Sequence, residues 1–181
     1  MSPQPRNEPE LATLVALFYD APEQLGRFIE TTADDLPPVP RQLLAHNHHM
    51  TVTVEAHHGS LVDVQVLATQ RQGQFYARKI LLARQSDGQV VQFGIVRINF
   101  DFLDEAVRRE IEARRTPLGR ILIEHNVMRE VELFDLYRIE PGPDLCELFS
   151  IVPADMTYGR TALIHCNGQP AIELLEIVTP E

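Results

Sequence analysis

Arg160-Thr161-Ala162-Leu163-Ile164-His165-Cys166-Asn167-Gly168-Gln169-Pro170-Ala171-Ile172-Glu173-Leu174-Leu175-Glu176-Ile177-Val178-Thr179 is the stretch on which the fold turns. Asn167-Gly168 separates two apolar, strand-like runs. Both residues tolerate the positive φ of a tight hairpin turn, and this pair is the strongest short hairpin signal in a sequence. The chain therefore reads as ending in two antiparallel strands, Arg160 to Cys166 and Gln169 to Thr179.

Working outward, the segments before the hairpin carry more strand signals. Leu61 to Leu67 puts Val62, Val64 and Val66 on one face, with Asp63 and Gln65 on the other. Phe75 to Ala83 and Val90 to Phe100 flank the turn signal Ser86-Asp87-Gly88 and read as a second hairpin. Thr51 to Glu55 is short and β-branched and reads as a further strand. Val131 to Ile139 and Leu145 to Val152 read as two more, joined across Pro141-Gly142-Pro143-Asp144.

Helical spacing shows in four places. Leu11, Leu14, Val15 and Phe18 form one stripe, and Leu25, Phe28 and Ile29 a second that starts near Pro22. Phe102, Leu103, Val107 and Ile111 form a third. Thr116-Pro117 offers a cap and a first-turn proline for a fourth, continued by Leu118, Ile121 and Leu122. Leu36-Pro37-Pro38-Val39-Pro40 reads as a stiff extended connector. It divides an N-terminal helical extension, residues 1–35, from a main body, residues 36–181, of one domain. Residues 1–8 read as disordered. Strands joined by short turns predict an α+β fold, a mostly antiparallel sheet with helices packed on one side.

The bulk composition narrows the function. The 181 residues are 44% hydrophobic and 23% charged, ordinary for a globular chain. The net charge of −10 disfavours a phosphate backbone as partner. The one arginine cluster, Arg108, Arg109, Arg114 and Arg115, is interleaved with Asp104, Glu105, Glu110 and Glu112. Nucleic acid is not expected as a partner. No apolar run approaches the ~18 residues of a membrane span, and Met1 to Glu10 do not resemble a signal peptide. A cytoplasmic protein with two reduced thiols, Cys146 and Cys166, is expected. His46, His48, His49, His57 and His58 are dense, but no His-x-x-x-His or paired cysteine supports a metal site, and none is expected.

Two residues break the apolar pattern. On the last strand Glu176 shares a face with Ile172, Leu174 and Val178. On the third, Arg78 shares one with Tyr76, Ile80 and Leu82. Periodicity alone leaves both open. Glu176 can meet solvent or close a structural ion pair, and Arg78 can lay its stem on the sheet with its head in water. Arg78 can equally grip a carboxylate with its planar fork.

Five segments then fall into one order: Met50-Thr51, Phe75-Tyr76-Ala77-Arg78, Thr116-Pro117-Leu118-Gly119-Arg120, Tyr158-Gly159-Arg160 and Glu173-Leu174-Leu175-Glu176. In this order the chain resembles the chorismate–pyruvate lyases, or 4-hydroxybenzoate synthases, from about Leu43 to Pro180. The resemblance implies an antiparallel sheet with the ligand beneath two helical flaps. It implies that Arg78 binds the ring carboxylate and Glu176 the hydroxyl opposite, as catalytic residues. Met50, Thr51, Leu118, Gly119 and Arg160 would line the substrate, with Arg160 or the Leu118 N–H as donors to a second carboxylate. No metal or organic cofactor is implied.

Tyr158 stands where compact members have Trp. Residues Val131 to Val152 add enough chain for an extra hairpin, so the chain is most similar to a divergent branch of that family. The expected reaction is elimination of pyruvate from chorismate to give 4-hydroxybenzoate. The expected partners are that substrate and product. The same fold resembles the ligand-sensing domain of a class of bacterial transcription regulators. A free-standing, non-catalytic sensor or carrier of an aromatic carboxylate is the alternative expectation, together with a lyase acting on a chorismate relative.

Overall fold

The computed structural model describes residues 8–181. Residues 1–7, where disorder is expected, lie outside the described range. One antiparallel sheet of seven strands organises the chain, in the order β1-β5-β6-β7-β4-β3-β2. In sequence order these are β1 (Gly26–Thr31), β2 (Val62–Gln72), β3 (Phe75–Arg84), β4 (Val90–Asn99), β5 (Arg129–Pro141), β6 (Thr157–Cys166) and β7 (Gln169–Val178). The expected hairpins β3–β4 and β6–β7 are present, and Asn167 and Gly168 take φ of 52° and 79° at the second turn.

The helices are α1 (Leu11–Ala16), α2 (Pro38–Leu44), α3 (Met50–His58), α4 (Glu105–Glu112), α5 (Leu118–Glu124) and α6 (Pro143–Phe149). Four of them, α2 to α5, pack on one side of the sheet. There they bury two apolar clusters, one around Ile98, Val107 and Ile121 and one around Leu44, Val54 and Ile80. The fold is the expected α+β arrangement. α1 and α6 cover part of the reverse face over Phe93, Ile95, Leu175 and Ile177.

Four local expectations are corrected. Thr51 to Glu55 is not a strand but part of α3. Met50, Thr51 and Val54 are its buried residues, a helical spacing, and this burial overrides the β preference of Val and Thr. The Pro-rich connector is not extended throughout, because α2 starts at Pro38. First-turn positions lack an intrahelical acceptor for their N–H, so proline costs nothing there.

The helix expected from Pro22 to Ile29 is a single 3-10 turn, Pro22–Gln24, followed by strand β1. Pairing with β5 decides this, and it brings Phe28 edge-on to Tyr137 at 5.7 Å. The segment before residue 36 therefore contributes an edge strand to the sheet and is not helical throughout. Finally, Leu145 to Val152 is not a strand, and the extra hairpin does not form. Pro143 opens α6, Leu145 and Phe149 bury one face four residues apart, and Ser150 ends the helix in the left-handed region. Short apolar runs do not separate helix from strand by periodicity alone.

Candidate functional site

The inward face of the sheet is built in rows fixed by strand register. Arg78 on β3 stands beside Val96 on β4, then Leu174 on β7 and Ala162 on β6. The next row is Ile80, Gly94, Glu176 and Arg160, and the one after it Leu82, Gln92, Val178 and Tyr158. Gly94 leaves a notch in the middle row, where a Cβ would come within 3.3 Å of Ile80 side-chain atoms. A buried cavity lies over that notch.

The structure brings all seven expected site residues to this one cavity. Arg78, Glu176 and Arg160 come from the sheet. Met50 and Thr51 come from the start of α3, and Leu118 and Gly119 from the start of α5. The two helices cross closely because position 119 is glycine. A Cβ there would meet the Thr51 hydroxyl at 3.1 Å. α5 begins at Leu118, with Pro117 preceding its first turn instead of forming it. Gln92 and Gly94 also line the cavity, and sequence reasoning did not single them out; His49, weighed there only as one of a group of histidines, lines it too. Gln92 carried the same signal as Arg78, one polar residue on an otherwise apolar inward face of β4.

The two arginines differ sharply. Arg160 is 0% exposed and held by several hydrogen bonds. Its Nε donates to Glu176 Oε2 at 2.7 Å. Nη1 donates to the carbonyls of Leu44 and His46 at 3.2 and 2.7 Å, and Nη2 to that of His48 at 3.0 Å. Four of its five N–H donors are therefore committed within the protein. They tie the α2–α3 connection to the sheet. Glu176, 6% exposed, is the other half of a buried ion pair. This is the structural-pair alternative that periodicity had left open for it.

Arg78 is 1% exposed and almost unpartnered. Nη1 reaches the Ile111 carbonyl only at 3.4 Å, and Nε has no partner among the described residues. Burial, with Arg114 adding a like charge, lowers the affinity of this guanidinium for its proton, though arginine stays charged in any case. A buried cation without an acidic neighbour is expensive unless something supplies one. Gln92, 3% exposed, likewise leaves Oε1 without a donor. His49, at the rim, is pushed down to about pKa 4 by burial and by Arg129, which donates from Nε to His49 Nε2 at 2.8 Å. It is neutral near pH 7. The lining therefore holds Arg78, Arg160 and Glu176 as its charges, with one positive charge in excess.

The cavity measures about 40 Å³. By the ~10–15 Å³ that one water requires, that is room for about three or four waters and not for an aromatic ring. Away from it, His57, His58 and Glu181 gather their donor atoms within 4.8 Å of one another. His57 Nε2 and Glu181 Oε1, 2.6 Å apart, account for that grouping as a hydrogen bond at the far end of α3.

No protein-family model matches the sequence, and no curated protein sequence matches it. Solved structures do match. Gene product SA0254 from Staphylococcus aureus subsp. aureus N315 aligns with TM-score 0.55 and 8% identity, over 75% of this chain and 90% of that one. The effector domain of PhnF from Mycobacterium smegmatis gives 0.52 and 11%, over 74% and 88%. The PhnF structure from the same organism gives 0.51 and 10%, over 72% of this chain and 63% of that one, so the chain spans less than two thirds of that protein. Identities this low speak for fold alone. The fold is the chorismate lyase-like one, shared with these structures. No helix among the described residues is long and apolar enough to cross a membrane.

Proposed function

We propose that this chain binds a small aromatic monocarboxylate in the cavity over Gly94, as a sensor or carrier domain. One observation carries this reading: Arg78 is a buried guanidinium with almost no protein partner, in a lining with one positive charge in excess. A carboxylate is the group whose geometry matches that fork, and a single one balances the charge. The ring would lie on Val96, Leu174 and the Gly94 notch. Glu176, anchored through Oε2 by Arg160, would accept from a ring hydroxyl. One similar structure is an effector domain, which agrees with such a role.

The second reading is chorismate lyase. It is favoured by the five ordered motifs and by the convergence of their residues on one cavity. In that reaction the ether bond between the ring and the enolpyruvyl arm breaks and the ring loses its C4 hydrogen. The ring becomes aromatic as 4-hydroxybenzoate, and the departing enolpyruvate takes up a proton to become pyruvate. Aromatisation drives the step, so the protein would mainly orient the substrate. Against it stands the charge balance. Chorismate is a dianion, and Arg160, the expected donor to its second carboxylate, is already held by Glu176 and three carbonyls.

Titration calorimetry with benzoate and 4-hydroxybenzoate tests the first reading, which predicts binding with proton-independent 1:1 stoichiometry. Absence of heat with either acid sinks it. Incubation with chorismate, following pyruvate, tests the second. Pyruvate release no faster than the uncatalysed rate removes the lyase, and release with a different ring product points to a chorismate relative.

A further inference from the structure

We propose that Gln92 is a specificity-determining residue of the same cavity, and that it selects an aromatic carboxylate carrying two neighbouring hydrogen-bond donors. The inference rests on the aromatic-carboxylate reading above and sharpens its ligand class to ortho-dihydroxy or amino-hydroxy benzoates.

The argument begins with an unmet need. Gln92 sits on a central strand, 3% exposed, on the inward face, with Leu82 and Val178 as its lateral neighbours. Both neighbours are apolar, and neither offers a side-chain donor. Its Oε1 has no donor among the described residues, although buried amides are almost always satisfied. It lines the cavity together with Arg78 and Glu176. A purely structural glutamine at this place would be hydrogen-bonded. An apolar residue of similar size would fill the place without a desolvation penalty.

Register then gives the geometry. Val96, the partner of Arg78, and Gln92 lie four residues apart on β4, with Gly94 between them. Side chains stand roughly perpendicular to a sheet, so the rows that carry Arg78 and Gln92 are separated by about 14 Å at ~3.4 Å per residue. Subtracting two hydrogen bonds of about 3 Å leaves about 8 Å, enough for the span from a benzoate carboxylate to a substituent on the far side of its ring. Glu176 lies beside Gly94 on the neighbouring strand, across β4 instead of along it. Gln92 and Glu176 therefore face a ring over Gly94 from directions about at right angles, by the spacings along and between strands. Neighbouring ring substituents suit that pair of acceptors, and one hydroxyl cannot serve both. One donor would satisfy Glu176 and the next Gln92 Oε1, while Arg78 holds the carboxylate.

The test uses the full chain, with Gln92→Leu and, as a second apolar replacement, Gln92→Met. Each protein is titrated with 4-hydroxybenzoate and with 3,4-dihydroxybenzoate, and the melting temperature is measured without ligand. Wild type is expected to bind the dihydroxy acid at least tenfold more tightly. In both variants that preference should fall below threefold. The ligand-free variants should melt at the same temperature or higher, because an unsatisfied buried amide has been removed. A structural glutamine would move the melting temperature the other way, and a clear drop in both variants overturns the proposal. So does a wild type without the preference, or a preference that survives in the variants. If wild type binds neither acid, the aromatic-carboxylate reading has failed and this inference falls with it. Binding without Gln92-dependent discrimination sinks the inference alone.

Discussion

Two buried arginines, in adjacent rows of one sheet face, differ in their company and set the two ends of the cavity against each other. At the β6–β7 end, Arg160 is surrounded by acceptors: a carboxylate and three backbone carbonyls. At the β3 end, Arg78 is as deeply buried and has one long contact. Burial costs both the same desolvation. Only the first recovers it within the protein. The difference separates a residue that holds the fold from one whose energetic deficit the proposed carboxylate would meet.

The most damaging way to probe this contrast is to remove the satisfied member. Arg160→Met leaves Glu176 buried and unpaired and frees the α2–α3 connection. Urea denaturation should show a loss of about 3–5 kcal/mol. Adding Glu176→Leu should recover much of it, because the stranded charge is gone as well. A double variant as unstable as the single one would mean that the carbonyl contacts, not the ion pair, dominate.

Removing the unsatisfied member should act in the opposite direction. Arg78→Met should leave ligand-free stability unchanged or raise it by about 1 kcal/mol, while weakening a bound aromatic carboxylate by about 2–5 kcal/mol. Equal losses of stability in Arg78→Met and Arg160→Met would erase the distinction.

The smallest effect concerns protons. Burial, with Arg160 nearby, pushes His46 down to about pKa 4, and burial with Arg129 does the same to His49. Both start from about 6.5 in the unfolded chain. Between those values the unfolded state binds more protons, so stability rises with pH and is lost as pH falls from about 6.5 towards 4. Allowing for partial exposure, each contributes about 1 kcal/mol. Equilibrium unfolding at stepped pH checks this, and His49→Gln should flatten the slope.

Much of this contrast was legible before any coordinates. Period-2 spacing placed Arg78 and Glu176 on inward faces, and the Asn167-Gly168 turn fixed the hairpin that carries Glu176. What the sequence could not display was pairing across distance. Arg160 meets Glu176 only because the β6–β7 register sets them side by side, and it meets Leu44, His46 and His48 through a loop more than a hundred residues away. The segments misread locally were those decided by tertiary contact: α3 by burial of Met50 and Val54, β1 by pairing with β5, and α6 by packing of Leu145 and Phe149. Gln92 was overlooked for a different reason. A lone amide attracts less notice than a charge, although its periodic signal was equal.

The smallness of the cavity has a consequence for timing. A space of about 40 Å³ cannot receive a benzene ring, for which ~150 Å³ is a known fit, until its walls part. The wall formed by the α2–α3 connection is fastened by Arg160 at three carbonyls. On the proposed reading, association would be paced by how often that fastening releases, not by how often ligand collides. In a stopped-flow trace the observed rate would level off at high ligand concentration, far below the diffusion limit, and the plateau would read the spontaneous opening frequency of the loop.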